Sequence, residues 1–214
     1  MERGLVEAVG QGAILDGGRV AVPSSHEQVV AVARVCSSSR TPLAVVSGRP
    51  ADGAPGESTL LLSLSRLTAI RIERGSGTLY AEAGASLGDV RAAAEREGLA
   101  LIGPPAHAEG RHVGAVIARG EVPRRALTGV DLVLASGDAV RSGGAVLKDV
   151  TGYDLVALAL GSLGRLAIIV AAHFRLQPAA ARGPAFPPAG HHGRVVGPAL
   201  VGAFDPEGLL RAPS

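Results

Sequence analysis

One stretch constrains the fold of this chain more than any other: residues 143–178, where an apolar run is interrupted by glycine pairs. Residues 155–160 are apolar on every side, which predicts a short helix that is buried all round. The Gly-Ser-Leu-Gly sequence at 161–164 ends that helix. Residues 166–170 are apolar and rich in β-branched side chains, as interior strands are, and Pro178 stops the strand.

The 161–164 turn has two interpretations. Glycines that flank a Ser-Leu pair let a backbone approach another group closely, which favours a turn that faces a bound ligand. Glycine is also common at helix C-termini, which favours an ordinary connection between a helix and a strand in a core. The residues alone leave both interpretations open.

Composition excludes several classes of function. Of the 214 residues, 47% are apolar, so a substantial core is possible, and the formal net charge is only +2. No basic run is interleaved with aromatic residues, so nucleic-acid binding has little support. The single cysteine, Cys36, excludes an internal disulfide and a cysteine-rich metal site, and we expect it to be buried as a small apolar side chain.

Membrane insertion and secretion are not expected either. No apolar stretch is long enough to span a bilayer, and residues 1–15 do not resemble a signal peptide. These patterns predict a cytoplasmic protein.

The first third of the chain predicts a short helix followed by a β-α-β unit. Residues 19–23 form a strand, and Ser24 opens a helix with Glu27 three residues on as a capping box. Residues 42–46 form a second strand, parallel to the first.

The middle of the chain predicts hairpins separated by a helix. These elements are a strand at 60–64, a hairpin of 69–73 and 78–82, a helix capped by Ser86 and ended by Gly98, and a hairpin of 130–135 and 139–141. His107 and His112 lie in the loop after the helix, but further metal ligands are lacking nearby, so a surface role is favoured over a metal pair.

The motifs of the opening stretch resemble those of a known family. K-D-V-T-G-Y-D-L from Lys148, G-S-L-G-R-L-A-I-I from Gly161 and F-R-L-Q-P from Phe174 resemble the end of the flavin domain in FAD-linked oxidases of the vanillyl-alcohol oxidase/PCMH type. Within that family the chain is most similar to the FAD-binding subunit of bacterial glycolate oxidase. The resemblance implies an α+β fold, a PCMH-type FAD-binding domain of two α/β subdomains. Within these motifs the chain departs from the family at three places, Asp149 for Asn, Arg165 for a small residue and Ala167 for Gly.

The resemblance also implies where FAD is contacted, mainly by backbone. The loop at 47–56 corresponds to a glycine-rich loop whose amides cradle the FAD pyrophosphate. Here Pro50 removes an amide donor, Asp52 adds negative charge, and Arg49 can offset that charge by pairing with phosphate. An ordinary solvent loop is the alternative.

Two further segments complete the implied FAD site. Residues 103–120 match a run in which a turn and a helix start lie against the flavin and pyrophosphate, with Ala115 in place of a glycine. The 161–164 turn is the other segment. The implied contacts are Ser47, Gly48, Arg49, Pro50, Ala51, Pro105, Gly114, Ala115, Val116, Ala118, Gly161, Ser162, Gly164 and Ile168.

The end of the chain changes in character. Residues 179–197 are rich in Pro, Ala and Gly and predict a linker with little packing of its own. Residues 198–214 contain an F-D-P-x-G pattern that resembles the closing motif of the family, in which a substrate (cap) domain precedes this motif. The expected organisation is an FAD-binding domain over 1–178, with subdomain 1 at about 1–66 and subdomain 2 at about 67–178, and with the cap domain absent.

Three functional hypotheses follow from the resemblance. The first is the FAD-binding subunit of a glycolate-oxidase-like complex that oxidises a 2-hydroxy acid, which implies a second flavin subunit and an iron-sulfur subunit as partners. The second is a scaffold subunit that keeps the fold but has lost the flavin. The third is a small flavoprotein that acts alone. No catalytic residue is assigned, and the two phenols, Tyr80 and Tyr153, have no assigned role.

Overall fold

The structure of the protein is a computed structural model that describes residues 1–46, 58–103, 109–144, 154–181 and 197–212. The described residues form two sheets, each with its own helices. No helix among them combines the length and the apolarity that a membrane span requires.

The first sheet is mainly parallel, as the predicted β-α-β unit requires. Its strand order is β1-β2-β4-β3-β11, with β1 antiparallel to β2 and every other neighbouring pair parallel. The two predicted strands, β2 and β3, are therefore parallel but separated by β4. The elements are α1 (Glu2–Val9), β1 (Ile14–Leu15), β2 (Val20–Ala21), α2 (His26–Ser39), β3 (Leu43–Val46), β4 (Leu60–Ser63) and β11 (Leu210–Arg211).

The start of α2 differs by one residue from the prediction. The N-cap is Ser25, not Ser24, and its hydroxyl accepts a hydrogen bond from the Gln28 amide at 3.3 Å. The amide and hydroxyl of Ser24 both donate to the side-chain oxygen of Gln28. Gln28 therefore takes the position that the prediction gave to Glu27, but its side chain accepts from Ser24, the residue before the N-cap, and not from the Ser25 amide as in a standard capping box.

The second sheet is antiparallel, and its central strand is the one predicted from the opening stretch. Its order is β5-β6-β10-β8-β9, and β7 pairs with the far end of β10. Both predicted hairpins, β5-β6 and β8-β9, are present. The elements are β5 (Ile70–Glu73), β6 (Thr78–Glu82), α3 (Leu87–Arg96), β7 (Leu99–Leu101), α4 (Val113–Ala118), β8 (Leu127–Val133), β9 (Ala139–Gly143), α5 (Leu155–Ala159) and β10 (Ile168–Pro178).

The two faces of the second sheet are covered differently. Helices α3, α4 and α5 pack on one face and bury a core that contains Leu79, Val116 and Phe174. On the other face, Val133 and Ile168 belong to a core that also contains residues of α2, β3 and β4. The two sheets therefore share a hydrophobic core beside α2.

Helix α5 is less buried than its sequence predicts. Val156 and Ala159 are buried, but Leu155, Ala157 and Leu158 are only partly buried. The prediction of a helix buried all round is wrong because α5 is a short outer helix that packs on one side, against β8. Its Asp154 cap is confirmed, since the carboxylate accepts the Ala157 amide at 3.0 Å.

The C-terminal tail joins the first sheet. After α6 (Pro198–Phe204), the buried carboxylate of Asp205 accepts the amides of Leu209 and Leu210 at 2.8 and 2.7 Å. These bonds shape the F-D-P-x-G turn and align β11 with β3. The predicted linker, 179–197, begins with a 3₁₀ turn at Ala179–Ala181, and its residues 182–196 lie outside the described part of the chain.

Candidate cofactor-binding site

Helix α4 carries the second of the three predicted FAD segments, and it is held against β6 by its own first turn. The amides of Val113 and Gly114 donate to the carbonyls of Ala85 and Ala83, each at 2.9 Å. A Cβ at Gly114 would lie 3.0 Å from the Cβ of Ala83, so glycine lets the helix come this close. These two amides are thus occupied within the protein.

Three small residues of α4 are only half-buried, and one of them, Ala118, packs at the edge of the core. Gly114, Ala115 and Ala118 are half-buried, whereas Val116 and Ile117 are fully buried in the core. Helical geometry places residues i and i+4 on one face, so Gly114 and Ala118 share a strip that also borders Ala115. This strip offers backbone and methyl groups to whatever lies against it.

The 161–164 turn is fixed to the end of α4. The amide of Gly161 donates to the carbonyl of Ile117 at 3.1 Å, and that of Leu163 donates to the carbonyl of Ala118 at 2.9 Å. The buried hydroxyl of Ser162 accepts the Gly164 amide at 3.3 Å. Two of the predicted FAD segments, far apart in sequence, therefore form one surface.

Leu163 stands out on this surface. Its backbone is left-handed, with φ of 54°, and its side chain is 38% exposed. A bulky residue rarely adopts this conformation, so the left-handed backbone at Leu163 makes the turn a candidate functional position. A Cβ at the neighbouring Gly164 would meet nothing within 4 Å, so the space beside the turn is free for a bound group.

Ile168 contributes differently from the other predicted contacts. Its side chain is completely buried and packs in the core shared by the two sheets, on the face of β10 that lies away from α4. Any contact of Ile168 with a cofactor would therefore come from its backbone.

The first predicted segment lies outside the described residues. This applies to Ser47, Gly48, Arg49, Pro50 and Ala51, and also to Asp52 of the same loop. The same is true of Pro105, of His107 and of the K-D-V-T-G-Y motif that begins at Lys148.

Three glycines, which the sequence did not single out as functional, direct the chain into that motif. A Cβ at Gly129 would lie 2.7 Å from the carbonyl oxygen of Ser142, because the chain at Gly143 and Gly144 crosses over β8 there. Gly143 has a left-handed φ of 69°, and its own Cβ would collide with the carbonyl of Thr128. The double glycine before the motif is thus required by this crossing.

Arg124, in the Pro-Arg-Arg sequence at 123–125, anchors the other end of the motif. Its guanidinium binds the Asp154 carboxylate through Nε and Nη2, at 2.9 to 3.1 Å, and also donates to the carbonyl of Leu127. Burial raises the pKa of Asp154, but the hydrogen bonds from Arg124 and from the Ala157 amide lower it more, so the net shift is downward. Asp154 therefore remains ionised and has a structural role.

The described residues of α4 and the 161–164 turn are compatible with a flat apolar ring system, the flavin. They include glycine and alanine, one exposed apolar side chain, and open space at Gly164. A group of three or more histidine, cysteine or carboxylate side chains that could hold a metal does not occur among the described residues.

Comparisons with known proteins identify the same cofactor. A family model described as an FAD binding domain matches residues 18–143. The D-lactate dehydrogenase of Archaeoglobus fulgidus is 30% identical over 171 residues, which cover 74% of this chain and 38% of that protein. The glycolate oxidase subunit GlcD of Bacillus subtilis is 30% identical over 172 residues, with 74% and 37% covered.

Solved structures show the same fold. Alkyldihydroxyacetonephosphate synthase superposes with a TM-score of 0.60 at 18% identity, over 74% of this chain and 31% of that one. The glucose dehydrogenase Phl p 4.0202 gives a TM-score of 0.59 at 18% identity, over 81% and 39%. The chain thus spans well under half the length of the relatives that it matches. It belongs to the FAD-binding domain family of the FAD-linked oxidases, and FAD is its cofactor.

Proposed function

We propose that this protein holds FAD for the oxidation of a 2-hydroxy acid, as the flavin-binding subunit of a glycolate-oxidase-like complex. The observation that carries the proposal is the FAD binding domain at residues 18–143, found together with relatives named for 2-hydroxy acids. Those names are D-lactate dehydrogenase, a glycolate oxidase subunit and D-2-hydroxyglutarate dehydrogenase. All three substrates carry a hydroxyl group next to a carboxylate.

The chemistry divides between cofactor and protein. When bound, FAD accepts the two electrons that leave the substrate, and the protein supplies binding and orientation. The strip on α4 and the 161–164 turn excludes water from one side of the cofactor with alanine and leucine side chains. On this surface the Ser162 hydroxyl is buried and bound to the Gly164 amide, so it is poorly placed to act on a substrate.

Partner subunits follow from this division. Side chains that bind the substrate carboxylate and accept its hydroxyl proton must come from outside the α4 surface, and the proposal assigns them to a partner. A second flavin subunit and an iron-sulfur subunit would complete the complex and carry electrons onward one at a time.

An absorbance titration tests the cofactor part of the proposal. The purified chain, as isolated or after addition of FAD, should show a flavin spectrum that dithionite bleaches. Isolated chain should not oxidise glycolate or D-lactate with an artificial acceptor, and activity should appear only with co-expressed partner subunits. Turnover by the chain alone would contradict the subunit role and support a small flavoprotein that acts by itself.

A scaffold role is the second candidate, and one observation favours it. Arg49, Pro50 and Asp52 interrupt a loop that should be rich in glycine, and they remove a donor and add negative charge where phosphates would lie. If the titration detects no saturable FAD binding, the chain is a scaffold that kept the fold and lost the flavin.

A further inference from the structure

A second polar cluster lies away from the cofactor surface, on the face of the second sheet opposite to α3, α4 and α5. We call it the polar face and define it by Arg71, Tyr80, Asp131, Arg141, His173 and Arg175. Cross-strand register places Arg71, Tyr80 and His173 directly opposite one another on β5, β6 and β10. Arg175 follows His173 on the same side of β10, about 7 Å further along the strand.

The carboxylates of the polar face already have partners. Arg141 binds both oxygens of Asp131, at 2.8 and 3.0 Å. At the neighbouring position of β6, Glu82 lies 3.3 Å from His26 and accepts the Ala69 amide at 2.8 Å. Both carboxylates at this end of the face are therefore engaged within the protein.

The nitrogen atoms beside these pairs are not compensated. Both ring nitrogens of His173 and the Nε of Arg175 are buried, and none has a hydrogen-bond partner among the described residues. The Nε2 of His173 stays 3.8 Å from the Asp131 carboxylate, beyond hydrogen-bond distance, because Arg141 occupies that carboxylate. Buried polar atoms without a partner are rare and costly in native proteins, so a ligand that accepts from the Arg175 Nε–H and from the one N–H of a neutral His173 ring would satisfy this site.

The side chains around these atoms favour a negatively charged ligand. The guanidinium of Arg71 lies 4.1 Å above the Tyr80 ring, and that ring packs edge-on against His173 at 5.2 Å. Glu73, the remaining carboxylate of this face of β5, is exposed and lies two strands away from Arg175. The guanidinium groups of Arg71 and Arg175 therefore give this side of the face a positive charge, and the His173 imidazole lies between them.

We propose that the His173–Arg175 side of the polar face binds an oxyanion, a carboxylate or a phosphate. An imidazole N–H and a guanidinium N–H at this spacing can each donate to one oxygen of such a group, and charged donors make the stronger bonds. The ligand is either a free small anion, such as a carboxylate substrate, or the phosphate portion of a nucleotide cofactor.

Isothermal titration calorimetry distinguishes the two sources. Inorganic phosphate and glycolate are titrated separately into FAD-free and FAD-loaded protein. Saturable binding to both forms shows a free anion site, whereas phosphate binding that FAD abolishes shows that the cofactor supplies the oxyanion. The proposal is overturned if neither anion binds saturably to either form.

Variants test the residues directly. Arg175→Gln and His173→Gln should each weaken anion binding about tenfold or more, since each loses one charge-assisted hydrogen bond. Arg175→Lys keeps the charge and should retain most of the affinity, which guards against loss through misfolding. Arg96→Gln removes an exposed arginine from α3, on the other side of the sheet, and should leave binding unchanged. Equal affinities in Arg175→Gln, His173→Gln and unmodified protein would contradict the assignment.

Discussion

Asp131 shows how single side chains support this fold. It lies on β8, its side chain is almost completely buried, and Arg141 from the neighbouring strand binds it with two hydrogen bonds. Burial raises the pKa of Asp131, but the neighbouring His173 and Arg141 lower it more, so the net shift is downward. The ionised form is therefore the one that stabilises the folded state.

The sign of this shift predicts a pH dependence. A carboxylate with a lowered pKa in the folded state stabilises the protein above its unfolded-state pKa, and this contribution is lost as the pH falls through the folded-state pKa. Asp131→Asn should lower the free energy of unfolding by about 1–3 kcal/mol at pH 7. Urea denaturation should show the difference shrinking as the pH is lowered below 4. A difference that is constant with pH would contradict an electrostatic role.

Cys36 gives a second prediction at this scale. Burial in the core beside α2 raises the pKa of its thiol to about 12. Because only the thiolate reacts readily, alkylation of the folded protein by iodoacetamide at pH 8 should be roughly a thousandfold slower than that of the unfolded chain. Mass spectrometry with and without urea measures both rates, and equal rates would show that the thiol is accessible.

Gly129 gives a third prediction at the scale of single residues. It lies opposite Gly143, close to the backbone of residues 142–144. An added methyl group would lie 2.7 Å from two backbone atoms, those of Ser142 and Gly143, which cannot rotate away as a side chain could. Gly129→Ala should therefore destabilise the protein by about 3 kcal/mol or more. Gly12→Ala is the matched control, since a Cβ there meets nothing within 4 Å, and it should change stability little. Thermal unfolding of both variants decides the matter.

At the scale of elements, the joining of α4 to the 161–164 turn forms the surface that we propose contacts FAD. Ala115→Leu adds bulk to the half-buried strip of α4 without entering the core. We expect FAD affinity to fall about tenfold or more, because a steric cost of 1–3 kcal/mol acts directly on the bound cofactor. Flavin fluorescence titration measures this. Ala92→Leu, on the exposed side of α3, is the control and should bind FAD normally.

Locally encoded elements were predictable from the sequence. The hairpin turns at 75–77 and 136–138 carry glycine where a chain reversal needs it, and the helix capped by Ser86 is confirmed by its hydrogen bond to the Asp89 amide. The predicted burial of α5 failed because an apolar sequence does not reveal which side of a short helix meets the sheet. The insertion of β4 between β2 and β3 likewise depends on pairing that no local pattern specifies.

The candidate site was predictable only in part. The glycines of α4 and of the 161–164 turn were identified as site residues, and the structure joins them through bonds to Ile117 and Ala118. The structure also shows that Gly114 allows α4 to pack closely against Ala83. The side chain of Ile168 lies in the core shared by the two sheets. Arg124 and the polar face were missed, because their partners come together from distant strands.

At the scale of the whole molecule, the C-terminal tail supplies the edge strand of the first sheet, β11, which pairs with β3. Asp205→Ala removes a buried carboxylate that accepts two amides, and we expect a loss of about 2–4 kcal/mol and release of β11 from β3. Hydrogen exchange should report this at the Leu43 amide, which donates to the Leu209 carbonyl. Glu207→Ala alters an exposed side chain of the same turn and should leave exchange unchanged. Protection of Leu43 that survives in Asp205→Ala would show that the tail is held by other contacts.

The pairing of β11 with β3 has a practical consequence for engineering. Two strands flank residues 179–197. The strand before them, β10, is paired with β6 in the second sheet, and the strand after them, β11, is paired with β3 in the first sheet. Lengthening the connection between them costs little, because loop-closure entropy grows only with the logarithm of loop length. An insertion between Ala181 and Gly197 should therefore leave both sheets intact, which makes this connection the place to join a foreign module to the FAD-binding domain.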